Sequence, residues 1–422
     1  MGAGHIVTLF RIFANLPPRY IEDLVAENQR LRRSSPQPPN GESSAAVTKD
    51  PALAKTQWFV NADALHSPIL VADASDSAFA TQFRQVMSNG HAGHLPRVNF
   101  PSDEQLLALS DTVCPWPTHA RARLLVRAAL SGLGRCYHIV RRSSILQDLE
   151  CATQNHTRTG LVTESKLFAV FAIGELYTTR TSALEKGFPG IHYFCKAMNV
   201  LRIVSERPSV DMVEIKLLLV RPFFSFRCFR KLTEHLQSLY SLFLNRRHAA
   251  YSLAGSAVRI AVIMGLHLNI PESQMSDICE REHRNRIWWT AYTLDRMWAA
   301  KLGYPTAIRD DEIEVNLPSN PEGLAESSTL DFPDREYFIS RVALARLSGR
   351  IIYSIYGQRK QAPSLSRRIQ TAFNDLRDWM EELPPSLRID GREEGELDPR
   401  ARSLHLLFNQ VSLFRSPPVR LP

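Results

Sequence analysis

The sequence predicts an all-α protein, a multi-helical bundle or array preceded by a short coiled-coil segment and a disordered linker. Three observations carry this. Apolar residues recur at helical spacing through most of the chain, Pro and Gly punctuate the segments, and strict apolar–polar alternation of the kind a half-buried strand needs is scarce. With 422 residues, 44% of them hydrophobic, the chain can bury one large core or two smaller ones.

The first periodic element is PPRYIEDLVAENQRLRR, residues 17–33. Ile21, Leu24, Asn28 and Leu31 follow each other at spacings of three, four and three, which is a heptad seam. Pro17 and Pro18 open the helix, Glu22 and Asp23 suit its positive start, and Arg30, Arg32 and Arg33 suit its negative end. An Asn among apolar seam positions favours a registered parallel dimer. Two heptads equally describe an exposed amphipathic helix. Residues 1–16 remain unassigned. Residues 34–56 turn to Ser, Pro, Gly, Asn and Ala, as in SSPQPPNGESSAA, which buries too little apolar surface to fold, so a flexible linker is expected.

From residue 57 to 422 the pattern is that of one helical domain. Helices are expected near 76–89, 103–111, 118–142, 161–179, 189–205, 231–245, 248–267, 279–301, 335–356, 365–382 and 400–414. In HARARLLVRAALSGLGRCYHIVRR, the residues Leu124, Leu125, Ala128, Ala129 and Leu133 form one apolar stripe, expected in the core. In REHRNRIWWTAYTLDRMWAAKLG the apolar face carries Ile287, Trp288, Ala291, Leu294 and Trp298, and Gly303 is placed to end the helix in a left-handed cap.

Charge and cysteines narrow the function. The net charge of +8 is spread over the whole chain and reads mostly as solvation. Arg141-Arg142, Arg246-Arg247 and Arg367-Arg368 would support weak, salt-sensitive, sequence-independent DNA binding at most. Cys114, Cys136, Cys151, Cys195, Cys228 and Cys279 contain no C-x-x-C pair, as expected of thiols in a reducing compartment, and no metal ligands are expected among them. No apolar run approaches the ~20 residues that cross a bilayer, so no membrane partner is expected.

No catalytic constellation is visible, and an enzyme is not expected. The acidic run RDDEIE, Arg309–Glu314, suggests magnesium and a diphosphate, but that chemistry needs a second facing acidic cluster, and none occurs. The run reads as a polar loop after Pro305. His267, at a helix end, is expected to cap carbonyls rather than act as a base. Trp288 and Trp289 lie about 100° apart on one helix, one toward the core and one toward a neighbouring helix. Asp295 and Arg296, adjacent in sequence, are expected to pair elsewhere, with Arg259, Arg284 or Arg286 as partners for Asp295.

The stretch AAYSLAGSAVRIAVIMGLHLNI, followed by EREHRNRIWWTAYTLDRMWAAKLGYPTAIRDDEIEVNLP, resembles the middle homology region of fungal-specific transcription factors. The resemblance rests on an ordered set: Tyr251, Gly255, Ala257, Arg259 and Ala261; Gly265, Leu266 and His267; Arg284 and Arg286; Trp288 and Trp289; Asp295 and Arg296; Gly303 and Pro305; Asp310 and Asp311; Leu317 and Pro318. The segments WFVNADALHSPILVADASDSAFATQFRQ, LPRVNFPSDEQ and WPTHARARLLVRAAL are similar to the same family.

The resemblance implies a nuclear transcription regulator whose helical domain controls a DNA-binding module and answers to a small-molecule or protein effector. It implies a homo- or heterodimer joined through a helix like that of Ile21 to Leu31. In this family that helix follows a cluster of six cysteines on two zinc ions, in which C-x2-C-x6-C occurs twice. The six cysteines here lack that spacing, so zinc is expected only with a cluster beyond this sequence, and no other cofactor is expected. The alternative is an interaction protein without DNA binding that dimerises with or sequesters related regulators, and a helical enzyme is the distant alternative. Residues 217–235, within LLLVRPFFSFRCFRKLTEH, depart from the family pattern and read as an unspliced insertion, and the C-terminus reads as truncated.

Overall fold

The computed structural model describes residues 58–60, 69–72, 75–87, 101–134, 137–154, 160–179, 188–202, 206–220, 246–320, 331–332, 334–356, 363–389 and 398–414. The expected coiled-coil seam of Ile21, Leu24, Asn28 and Leu31, the linker at 34–56 and the expected helix at 231–245 lie outside the described residues. The chain divides into two compact units. One comprises residues 1–54 and 357–371, of which the described part is the N-terminal portion of one helix; the other comprises residues 55–356 and 372–422.

The larger unit is helical, as expected, apart from a two-stranded antiparallel pair. Strands β1, Trp58–Val60, and β2, Ile69–Val71, pair with Trp58 opposite Val71 and Val60 opposite Ile69. Three residues per strand are too few to show alternation, so the pair leaves no trace in the sequence pattern. The helices are α1 (Asp76–Met87), α2 (Asp103–Ser110), α3 (His119–Leu133), α4 (Arg142–Gln154), α5 (Leu161–Thr178), α6 (Ile191–Asn199) and α7 (Val210–Val220). They continue with α8 (Arg247–Ile263), α9 (Ile278–Leu302), α10 (Arg335–Tyr356), α11 (Leu365–Glu381) and α12 (Pro399–Phe414).

Two helices run through the interior. On α5 every residue from Ser165 to Gly174 is buried, and the helix packs against α3, α4, α6 and α7. On α9 every residue from Arg286 to Ala300 is buried, against α7, α8 and α10. Trp288, Trp289, Tyr292 and Trp298 are almost wholly removed from water, and each contributes on the order of 2–3 kcal/mol by area. The buried positions of α8, which packs against both α7 and α9, are Ala250, Ala254, Gly255, Ala257, Val258 and Ala261, mostly small residues that let the backbones approach closely.

The boundaries follow local chemistry. Asp277 starts α9 by accepting hydrogen bonds from the N–H groups of Cys279 at 2.8 Å and Glu280 at 3.3 Å. Gly303 ends it at φ 69°, and the Tyr304 N–H bonds the Ala299 carbonyl at 2.9 Å, the left-handed cap expected there. At the start of α2, Ser102 and Gln105 form a reciprocal capping box.

Three expectations change. The segment 118–142 is not one helix: α3 stops at Leu133, residues 137–141 are irregular and α4 begins at Arg142. The buried face of α3 is Ala122, Leu125, Val126, Ala129 and Leu133, rotated from the expected stripe, and Leu124 is exposed. Part of the expected insertion is core: Leu217, Leu218, Leu219 and Val220 are fully buried at the end of α7, which packs against α5 and α8. The rest of it, 221–235, lies outside the described residues.

Candidate functional site

The family-like residues converge on one segment, 303–319, which α9 holds along its length. At the C-terminal half of α9, the Arg296 guanidinium donates to the Ile308 carbonyl at 2.7 Å, to Asp310 Oδ1 at 2.7 Å and to Asp295 Oδ2 at 3.1 Å. Asp295 Oδ2 also accepts the Ala307 N–H at 2.9 Å, and the Tyr292 hydroxyl donates to Asp310 Oδ1 at 2.8 Å. Burial pushes the Asp295 carboxyl above the usual carboxylate range, against the Ala307 N–H, Arg296 and Arg259. Arg296 does pair away from its neighbour, with Asp310, whereas among the described ion pairs Asp295 pairs not with the expected Arg259, Arg284 or Arg286 but with Arg296 itself. Helical spacing separates their Cβ atoms, but the long Arg296 chain carries its guanidinium back beside Asp295 and over the Tyr292 ring at 3.8 Å.

Gly255 of α8 faces this network. A Cβ there would meet Arg259 Nη1 at 3.4 Å and Asp295 Oδ1 at 3.8 Å. Tyr251, one turn earlier, donates its hydroxyl to the Pro305 carbonyl at 2.7 Å, and Tyr304 donates its own to Leu70 of β2 at 2.6 Å.

The N-terminal half of α9 holds the far end of the segment. Glu282 accepts from Arg286 Nε at 2.5 Å and from the Ser319 N–H and hydroxyl at 3.1 and 2.9 Å, and Arg286 Nη2 donates to the Ser319 carbonyl at 2.7 Å. Pro318, beside them, is buried, and its carbonyl accepts from Arg335. Trp289 donates its indole N–H to the Asn316 carbonyl at 2.8 Å. Arg284 instead caps α8, donating to the Met264 carbonyl at 3.0 Å. Gly265 then turns the chain at φ 69°.

His267 does not cap carbonyls with its ring among the described hydrogen bonds. The ring lies against Trp288 at 5.7 Å, and the backbone carbonyl of His267 accepts the N–H groups of Glu314 at 3.0 Å and Val315 at 2.9 Å. Trp288 and Trp289 are both buried, Trp288 against His267 and Trp289 bonded to the Asn316 carbonyl. In the acidic run, Asp310 turns inward to Arg296 and Tyr292, whereas Asp311 turns outward to Arg309. Among the described residues, no three His, Cys, Asp or Glu side chains gather as a metal site.

Beside this stapled segment lies a groove of about 420 Å³. Its floor is the pairing of residues 267–269 with 314–316, in which Asn269 bonds the Glu314 carbonyl at 2.9 Å and the Asn316 N–H at 3.0 Å. The first turns of α9, with Ile278, Arg281 and Arg284, form one wall.

A second buried polar array was not foreseen from the sequence. His138 Nε2 meets His283 Nδ1 at 2.8 Å, His283 Nε2 lies 3.0 Å from Glu214 Oε1, and Lys166 Nζ lies 3.2 Å from Glu214 Oε2. Lys166 also pairs with Asp211 at 2.6 Å and Asp148 at 3.0 Å. Burial acts against the Lys166 ammonium, yet Glu214, Asp211 and Asp148 together push its pKa above the usual lysine range. Glu214 falls below the usual carboxylate range despite complete burial, through His283 and Lys166. The array ties α4, α5, α7 and α9 to the irregular stretch before α4. Its sequence signal is a charged residue inside an otherwise apolar helix, as Lys166 in SKLFAVFAI and Glu214 in VDMVEIKLLLV.

The Arg pairs considered for DNA are partly engaged: Arg141 pairs with Glu280 at 3.0 Å, and Arg246 bonds Asp103 and the Pro101 carbonyl. Cys114, Cys151, Cys195 and Cys279 are free thiols, and Cys136 and Cys228 lie outside the described residues. No described helix is long and apolar enough to cross a membrane.

Residues 131–381, more than half of the chain, match the family described as fungal specific transcription factor domain, and the chain belongs to that family. It is 27% identical over 262 residues to an uncharacterized transcriptional regulatory protein of Schizosaccharomyces pombe, covering 60% of this chain and 30% of that protein. It is 26% identical over 302 residues to activator of stress genes 1 of Saccharomyces cerevisiae, covering 66% and 29%. To the acetamidase regulatory protein of Aspergillus oryzae it is 30% identical over 162 residues, covering 38% and 20%. The chain thus spans about a third or less of the length of these relatives. No solved structure matches it.

Proposed function

We propose that this chain acts in transcription regulation as the helical regulatory domain of a nuclear, non-enzymatic regulator, controlling the activity of a DNA-binding module. The observation that carries the reading is the family match over residues 131–381, which takes in the whole α8–α9 signature and the segment it holds. The relatives named as an activator of stress genes and an acetamidase regulatory protein support the same class. Zinc and specific DNA contact would come from a six-cysteine cluster of the family type, which the spacing of this chain's cysteines does not supply. Dimerisation through Ile21, Leu24, Asn28 and Leu31 completes the proposal.

The test fuses the full chain to a heterologous DNA-binding domain and measures a reporter carrying its operator in a fungal host. A change in reporter output that disappears with Arg296→Ala, a substitution that removes the α9 staple, supports a regulatory domain. An unchanged reporter with the fusion present in the nucleus rejects it.

The heptad seam of Ile21, Leu24, Asn28 and Leu31 also supports a second reading, an interaction protein that pairs with a related regulator. Transcript sequencing upstream of Met1 separates the two: codons for the cysteine cluster support the regulator, and a transcript matching this chain supports the interaction protein.

A further inference from the structure

The groove beside α9 combines aliphatic walls with positive charge that the fold leaves largely unneutralised. Leu268, Ile278 and Leu317 line it and are 40%, 42% and 41% exposed. Its volume of about 420 Å³ falls within the range of small-molecule sites, ~300–1,000 Å³.

Four charged side chains reach the groove. Glu282 is committed to Arg286 and Ser319. Arg284, half-buried, donates to the Met264 carbonyl and has no carboxylate partner among the described ion pairs; the nearby Glu280 is held by Arg141. Burial lowers the Arg284 pKa, with the nearby Glu280 acting against it. Arg281 does have a partner, Glu272 at 2.8 Å, but the Glu272 side chain is 84% exposed, and a contact of that kind is worth little. Arg281 and Arg284 stand three residues apart on α9, so their guanidinium groups can share one anion. The buried Oδ1 of Asn285, next on the helix, accepts no hydrogen bond, and this amide can turn to present its N–H instead.

We propose that this groove binds a short aliphatic carboxylate, its carboxylate held between Arg281 and Arg284 in place of the Glu272 side chain and its tail against Leu268, Ile278 and Leu317. The bound acid bridges the turn after α8, the start of α9 and the extended segment 314–317, and so stiffens the staple on segment 303–319. This deepens the regulator reading, on which it rests for its consequence in the cell, by naming the chemistry of the effector; the binding itself stands apart from that reading.

The experiment is calorimetric titration of the purified full chain with isocaproate and with its neutral amide. Saturable binding of isocaproate, with the amide at least about tenfold weaker, is expected from the loss of charge-assisted hydrogen bonds. Glu272→Ala should tighten isocaproate severalfold by freeing Arg281, and Leu317→Asp should weaken it at least about tenfold by placing a like charge on the tail wall. Both positions are exposed, so both variants should keep the wild-type circular dichroism. Arg284→Gln should also weaken binding, and if it unfolds the domain the other two variants still decide. No saturation, equal binding of the amide, or Glu272→Ala without effect overturns the proposal. A reporter fusion that stays active while isocaproate fails to bind would remove the ligand and leave the regulator reading intact.

Discussion

The imidazoles of His138 and His283 meet nitrogen to nitrogen at 2.8 Å in the interior of the larger unit, and the His138 carbonyl accepts the Thr290 hydroxyl at 2.7 Å. One nitrogen must donate and the other accept, so the two rings cannot both be cationic. The next nitrogen of His283 faces Glu214, and the chain of contacts passes on to Lys166. A buried array of this kind fixes which helices meet, and it also makes the fold sensitive to protons.

Burial, followed by the charges of His283 and Arg286, holds His138 well below the ordinary histidine pKa of about 6.5. Asp331 opposes this and Arg141 adds to it. In the unfolded chain His138 takes up a proton as pH falls through about 6.5, whereas the folded domain does not. Stability is therefore full above that value and declines below it until the lower folded pKa is reached. The slope approaches about 1.4 kcal/mol per pH unit for one proton. Urea midpoints measured between about pH 7 and about pH 5 should fall steadily, and His138→Gln should flatten the curve. A wild-type midpoint that stays level over that range would show that His138 is not held neutral.

Lys166 answers to the same array with the opposite charge. Its ammonium, 5% exposed, is surrounded by Glu214, Asp211 and Asp148. Lys166→Met leaves Glu214 buried and short of a cation, a loss of ~3–5 kcal/mol. Pairing it with Glu214→Leu should recover a large part of that, since an apolar pair of similar size removes the stranded charge. The check is a double-mutant cycle by urea unfolding; additive losses would mean that the two side chains do not interact.

The staple on segment 303–319 should depend on the fork of Arg296 more than on its charge. Lysine at 296 cannot reach Asp295, the Ile308 carbonyl and Asp310 together, so Arg296→Lys is expected to cost ~3 kcal/mol or more. Tyr292→Phe removes one hydroxyl bond to Asp310 and should cost ~1 kcal/mol. Thermal unfolding that ranks Tyr292→Phe as the more damaging would reject the central place of Arg296.

How far these features could be read in advance depends on how local their causes are. The α9 helix was legible because Gly303 marks its end and Ile287, Trp288, Ala291, Leu294 and Trp298 recur at helical spacing along it. The helix α4 was hidden because Tyr137, Ile139 and Val140 carry apolar character through an irregular stretch, so the end of α3 looked uninterrupted. The last residues of α7 depart from the family pattern and so resembled an insertion, whereas their burial is set by α5 and α8, partners that spacing within the helix does not reveal. At the site, the residues were visible and their partners were not. The bonds of Arg296 to Asp310 and of Trp289 to Asn316 depend on the path of the 303–319 segment, which spacing along the chain does not encode.

The crossing of α3 and α5 offers a sharper test of close packing. Gly174 of α5 sits against the backbone of Leu125 in α3, so that a Cβ at 174 would collide with the Leu125 carbonyl group rather than with a movable side chain. Two residues earlier on α5, the Ala172 backbone occupies the space that a Cβ on Gly190, the φ 75° residue before α6, would need. Alanine at 174 is favoured by helix propensity, by ~1 kcal/mol, but it must push the two helices apart in a core where overpacking costs ~1–3 kcal/mol or more. The clash is with backbone, so the upper part of that range should apply and the net effect should be destabilising. By contrast Gly160→Ala, at an exposed position where an added Cβ meets no described atom within 4 Å, should change stability by less than ~0.5 kcal/mol. Urea unfolding of the two variants side by side checks this: a Gly174→Ala protein as stable as wild type would mean that α3 and α5 do not approach so closely.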